Sequence, residues 1–195
     1  MTKKTYWHFI KKGRRLGYGD GRVVKVGETL TVEGPIALCS HGLHASEDIL
    51  DAVDYAPGSV LCKVELGDDF VDGGDKVVSS SRKVLELLDA EHILREFARR
   101  CALEVIHLWD APDVVVRYLK TGDSTLRGAA RDAARGAARG AARAASDAAR
   151  DAARYAASDA ASDAASYAAS AAARGARTKQ REILLDLLSK DTWEK

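Results

Sequence analysis

The chain has 195 residues, with 30 Lys and Arg against 29 Asp and Glu and a formal net charge of +1. A balance so close to zero gives no global attraction to nucleic acid or to an anionic membrane, and neither is expected as a partner. No apolar run approaches the ~20 residues that span a bilayer, and the N-terminus lacks the apolar stretch of a secretory signal, so a soluble, intracellular, cytoplasmic protein is expected. The three cysteines, Cys39, Cys62 and Cys101, are odd in number and contain no C-x-x-C pair, which predicts reduced thiols.

Composition changes near Gly122. Aromatic and β-branched residues crowd the chain before it, whereas Gly128 to Ala176 is mainly Ala, Arg, Ser and Asp. This predicts an α+β N-terminal domain over 1–122, a small, mainly antiparallel sheet covered by helices. An alanine-rich all-α module follows, with a helical tract over 123–174 and an amphipathic helix over 178–190.

From the N-terminus, "TYWHFI", "RVVKV", "ETLTV" and "PIALCS" are short β-rich runs between glycine turns, a small antiparallel sheet over residues 5 to about 45. Between the first two, Gly17, Gly19 and Gly21 alternate in "LGYGDGR". Without the helix of a dinucleotide fingerprint or the Lys of a P-loop, they predict a hairpin loop. "HASEDILDAVDYAPG" shifts to helical period, with Ser46 as cap, Glu47 and Asp48 in the first turn, and Ile49, Val53 and Tyr55 facing inward until Pro57 and Gly58. "SVLCKVEL" predicts a central strand. After "DGGDKVV" the chain reads as helical, and Ile93, Phe97, Cys101 and Val105 recur at four-residue steps on a helix that covers the sheet.

"CSHGLHAS" holds ligand-like chemistry in Cys39, His41 and His44. A structural zinc needs four ligands, and the remaining ones would have to come from scattered Cys62, His8 or His92, so no metal is expected. The alternative is that Cys39 and His44 point inward from a strand, with His44 hydrogen-bonded. Basic residues cluster at Lys3, Lys4, Lys11, Lys12, Arg14 and Arg15, and again at Arg127, Arg131, Arg135, Arg139 and Arg143. Both sets are expected on solvated faces.

"GLHASEDILDAVDYAPGSVLCKVELGD" resembles part of the ADP-ribosyltransferase core of the poly-ADP-ribose polymerase type. The resemblance implies NAD as cofactor, with His44 in place of the Tyr that stacks on nicotinamide, Ser46 and Tyr55 at the start and end of the helix, and His8 of "YWHF" as the first-strand His that holds the ribose. The chain departs from it at the stacking Tyr and at the catalytic Glu, since Glu86 and Glu91 fall in sequence that reads as helix. Without that carboxylate nothing stabilises the oxocarbenium-like transition state.

The chain as a whole is similar to an uncharacterised family of actinobacterial phages and their hosts. The shared features are Cys39, Gly42 and His44; Glu65, Gly67, Asp75 and Lys76; and Phe97, Ala98, Cys101 and Ala102. Its alanine-rich tail ending in "KQREILLDLL" resembles the helical domain linked with polymorphic-toxin immunity proteins. The resemblance implies a phage or mobile-element protein located in the host cell, and it carries no activity.

The tract from about Ser124 to Arg174 lacks proline and is dominated by the best helix former, so it is expected to be helical, capped by Asp123 or Ser124. A four-residue repeat drifts by about 40° per block, which winds the column Ala144, Ala148, Ala152, Ala156, Ala160, Ala164 and Ala168 around the helix as a right-handed stripe. Methyl-only faces allow close backbone approach, and many such contacts must replace a larger core. A homo-oligomer or a helical protein partner is the expected consequence. Gly175 is expected to stop the tract before Ile183, Leu184, Leu187 and Leu188 form an apolar face.

Together these readings predict a non-enzymatic binding or interaction protein without cofactor. Its candidate ligand-binding residues are His8, Cys39, His41, His44, Ser46 and Tyr55, and it self-associates through the alanine faces. The alternative is an NAD-handling enzyme of the transferase type.

Overall fold

A computed structural model describes residues 4–17, 20–137 and 175–194. They fall into two compact units. One runs up to Leu94 and resumes at Leu184, and the other runs from Arg95 to Ile183, so the composition break at Gly122 lies inside the second. The expected α+β class, an antiparallel sheet region followed by helices, is observed.

The first unit contains strands β1 (Tyr6–Ile10), β2 (Thr29–Thr31) and β3 (Leu43–Ala45), helix α1 (Ile49–Asp54), strands β4 (Val60–Leu66), β5 (Phe70–Asp72), β6 (Val77–Ser79) and β7 (Ser81–Asp89), and the first turn of helix α2 (Glu91–Glu104). All pairings are antiparallel, in a four-stranded sheet of order β1-β4-β7-β2 and a three-stranded sheet of order β3-β6-β5.

β4 is central, as its apolar run predicts, with β1 on one side and β7 on the other. His8 lies opposite Cys62, and Cys62 opposite Leu87. A register shift between Lys63 and Val64 leaves Leu85 as an extra residue on β7. This bulge lets Val84 and Leu87, three apart, both face inward. One face of the sheet therefore carries Tyr6, Ile10, Val60, Cys62, Val64, Val84 and Leu87, which form a core with Leu43, Ala45 and Val77 of the second sheet. Each large aliphatic side chain buried there contributes about 1.5 to 3 kcal/mol. The opposite face carries Trp7, Phe9, Leu61, Lys63, Glu86 and Leu88, by the alternation of side chains along each strand.

Several local expectations are corrected. "PIALCS" is a tight turn closed by Ala37 and His41, and "RVVKV" contributes one bridge, Arg15 with Val23, that closes the glycine hairpin; Gly19 lies outside the described residues. The stretch after "DGGDKVV" forms β6 and β7 before any helix begins. Ser46 does not cap α1. Asp48 does, its carboxylate accepting the Leu50 N–H at 2.9 Å, and Tyr55 beyond the last turn is 49% exposed rather than inward. Val105 lies past the end of α2 and is exposed.

The C-terminal segment returns to the first unit. Residues 175–189 are helical, so Gly175 is part of the helix and not a stop, and Leu184, Leu187 and Leu188 are buried as their spacing predicts. Glu194 then pairs with Leu87, extending the edge of β7 past β2.

In the second unit, α3 (Asp113–Thr121) ends at Gly122 in left-handed conformation (φ 68°), whose N–H bonds the Tyr118 carbonyl at 2.8 Å. Asp123 caps the short turn that follows, and residues 127–137 are helical. Ala144, Ala148, Ala152, Ala156, Ala160, Ala164 and Ala168 lie outside the described residues. Among the described residues no helix is long and apolar enough to cross a membrane.

Candidate functional site

The turn before β3 places Cys39 in left-handed conformation (φ 61°) and exposes it. Its N–H donates to Nε2 of His44 at 3.1 Å, which makes Nδ1 the protonated nitrogen of the neutral ring. Leu43 and Ala45 are buried in the core, so the strand's alternation turns His44 between them outward, to the side of Cys39. Gly42 holds this geometry tight. At φ 126° its position has no room for a side chain, since a Cβ would lie 2.3 Å from Cγ2 of Val78 on β6.

Two further elements reach the same surface. Tyr55 at the end of α1 donates its hydroxyl to Asp75, and the Nζ of Lys76 lies 4.2 Å from the centre of the Tyr55 ring. Lys76 also meets the Cys39 thiol. That contact first, then the Tyr55 hydroxyl, raises the ammonium above its usual range, while the Tyr55 hydrogen bond holds the Asp75 carboxyl below its own. Burial, and secondarily the nearby Lys76 and Arg82 charges, hold His44 neutral by lowering its pKa.

Cys39, His44, Tyr55, Asp75 and Lys76 thus converge from three stretches of chain. The other candidates go elsewhere. His41 is exposed and donates from Nε2 to the Glu33 carbonyl at 2.8 Å. Ser46 is buried and exchanges two backbone hydrogen bonds of 2.8 Å with Trp7, joining the two sheets, so it is unavailable to a ligand. His8 sits on the inner face of β1, on the opposite side from the His44 ring. Asp75 and Lys76 were not among the expected ligand residues. The available clue was their adjacency in the "DK" pair that accompanies Cys39, Gly42 and His44 in the phage-family resemblance.

The arrangement offers a cation against an aromatic face, a thiol and a phenol tied to a carboxylate. It suits recognition better than catalysis. Glu86 does lie on a strand, correcting its assignment to helix, but on the outer face of β7. There its carboxylate receives the Lys63 ammonium at 2.5 Å, on the face opposite His8. Glu91 opens α2 and pairs with Lys12 at 3.0 Å. Among the described residues no group of three or more His, Cys, Asp or Glu is placed to hold a metal ion.

No curated protein and no solved structure matches the chain. Residues 18–96, which run from the glycine hairpin through β7 into α2 and include Cys39, His44, Tyr55, Asp75 and Lys76, match a family model described as a domain of unknown function, DUF7666.

Proposed function

We propose that the protein is a non-enzymatic binding protein of phage or mobile-element type. Its β-rich unit presents Cys39, His44, Tyr55, Asp75 and Lys76 to a ligand or partner, and its alanine-rich tract mediates self-association. The observation that supports this reading is the convergence of those five residues on one surface while the nearest strand glutamate, Glu86, is turned to the other face and paired with Lys63. A transferase would need a carboxylate on the side of the ribose-holding His8.

The test uses the full chain. Incubation with NAD and nicotinamide, followed by mass spectrometry, is expected to give no ADP-ribosylated product and no NAD consumption. Light scattering is expected to report an assembly larger than the monomer. Replacing Ala152 and Ala156 with leucine adds bulk where close packing allows none, at a typical cost of about 1 to 3 kcal/mol per site, whereas on a solvent-facing helix leucine is nearly neutral. NAD turnover, or a double variant with the parent's mass and melting curve, would contradict the reading.

A further inference from the structure

We propose that the Arg82 guanidinium and the His8 imidazole form a binding site for a phosphate-type oxyanion on the inner face of the four-stranded sheet. The site is distinct from the outer surface of Cys39, Tyr55 and Lys76 and does not depend on that surface's role.

Arg82 is only 2% exposed, the largest of the fully buried side chains. It stands on the inner face of β7, two residues before Val84 and opposite Leu66 and Leu30. Its Nη1 donates to the His44 carbonyl at 2.5 Å, and its Nε finds no acceptor among the described residues. A buried guanidinium demands an acceptor for each donor and a counter-charge. The surroundings supply neither. Asp20, the carboxylate nearest in effect, already holds Arg22 in a two-point pair, Nε to Oδ1 and Nη2 to Oδ2, both at 2.7 Å. Cys62 is a neutral thiol, pushed up to about 12 by burial.

His8 is the second half of the site. It is part-buried on the same inner face, and its ring takes no part in the hydrogen bonds among the described residues. Desolvation, the Arg82 charge and His44 push its pKa well below the usual imidazole value, so it too is neutral near pH 7. The result is a buried cation beside an unpaired imidazole, with no anion to balance them. A tetrahedral oxyanion presents oxygens in several directions. It can accept from Arg82 Nε and from the ring N–H of His8 together, and a dianion would also stabilise His8 in its protonated form. Charge-assisted bonds of this kind select phosphate-type groups over neutral ligands.

The experiment follows the histidine ring resonances of the full chain by NMR as sodium phosphate replaces sodium chloride at constant ionic strength. The expected result is a saturable shift of His8 with an apparent pKa raised by about one unit or more, while exposed His92, bound to Asp191, does not change. R82K keeps a cation but loses the Nε donor, and is expected to bind phosphate about tenfold more weakly or worse. A parallel titration with ADP separates two sources: competition for the His8 shift identifies a phosphoryl group of a larger molecule, and no competition identifies the free oxyanion. A parent whose His8 does not shift saturably, or an R82K variant that binds as tightly as the parent, overturns the proposal. If R82K does not fold, H8F takes its place, read by the rise in melting temperature that phosphate gives the parent; an undiminished rise in H8F overturns it equally.

Discussion

Arg14 grips Glu194 at two points, Nη1 to Oε1 at 3.1 Å and Nη2 to Oε2 at 2.6 Å, across almost the whole length of the sequence. The same Glu194 exchanges backbone hydrogen bonds of 3.0 and 2.9 Å with Leu87. Beside it, the Trp193 ring lies 6.1 Å from that of Trp7, and the Lys63 ammonium sits 4.1 Å from the centre of the Trp193 ring. The C-terminal segment is therefore a strap across the outer face and edge of the sheet. The Arg14 pair is half-exposed, so E194Q is expected to cost less than about 1 kcal/mol. W193A removes the ring contact and the cation's aromatic partner, and is expected to cost about 1 to 2 kcal/mol in urea unfolding. A W193A variant no less stable than E194Q would show that the strap is held by its backbone bridge alone.

Gly42 and Gly74 both adopt positive φ, 126° and 91°, but only Gly42 is crowded, with Val78 2.3 Å from a built Cβ against nothing within 4 Å at Gly74. G74A meets backbone strain alone and is expected to cost about 1 kcal/mol. G42A adds a collision with a fully buried strand and is expected to cost about 3 kcal/mol or more. Equal unfolding midpoints for the two variants would mean that the β3 and β6 backbones separate easily.

The thiols should differ in reactivity. Cys39 is exposed, whereas Cys62 is buried and its thiol is pushed up to about 12. At pH 8 iodoacetamide is expected to alkylate Cys39 within minutes and to leave Cys62 unmodified until denaturant is added. Mass spectrometry of peptic fragments reads both sites in one reaction. Rapid modification of Cys62 in the native chain would show that the core around β4 opens readily.

How much of this was legible beforehand depended on range. β4 could be read because Val60, Cys62 and Val64 are apolar and bounded by turns. β7 could not, because "KVLELLDAEHIL" is rich in Leu, Glu and Lys, good helix formers whose local preference is overridden by pairing with β4. That override also misplaced Glu86. Cys39, His44 and Tyr55 were identified from local chemistry, and the structure brings them to one surface. Arg82 escaped notice because an arginine in sequence reads as solvent-facing, and only the register of β7 reveals that it points into the core. The pairing of Glu194 with Leu87 and Arg14 has no local trace at all.

Stability should fall in acid through His8. Its folded pKa lies well below the usual 6.5, because burial and the Arg82 charge disfavour the imidazolium. In the unfolded chain that penalty is absent and the ring takes up a proton near its ordinary pKa. Above about pH 6.5 the ring is neutral in both states and contributes no pH dependence. Below it the unfolded state binds a proton that the native state refuses, so stability is lost as pH falls, by at most about 1.4 kcal/mol per unit until the folded pKa is reached. His44, also lowered, adds a smaller effect in the same direction. Urea unfolding at pH 7.5 and 5.5, in chloride without phosphate, should therefore show a drop in the parent that is substantially reduced in H8F, which keeps a ring of similar shape without a titrating group. If H8F loses as much stability as the parent between the two pH values, His8 is solvated well enough to take its proton in the native state, and the burial assigned to it on the inner face of β1 would be wrong.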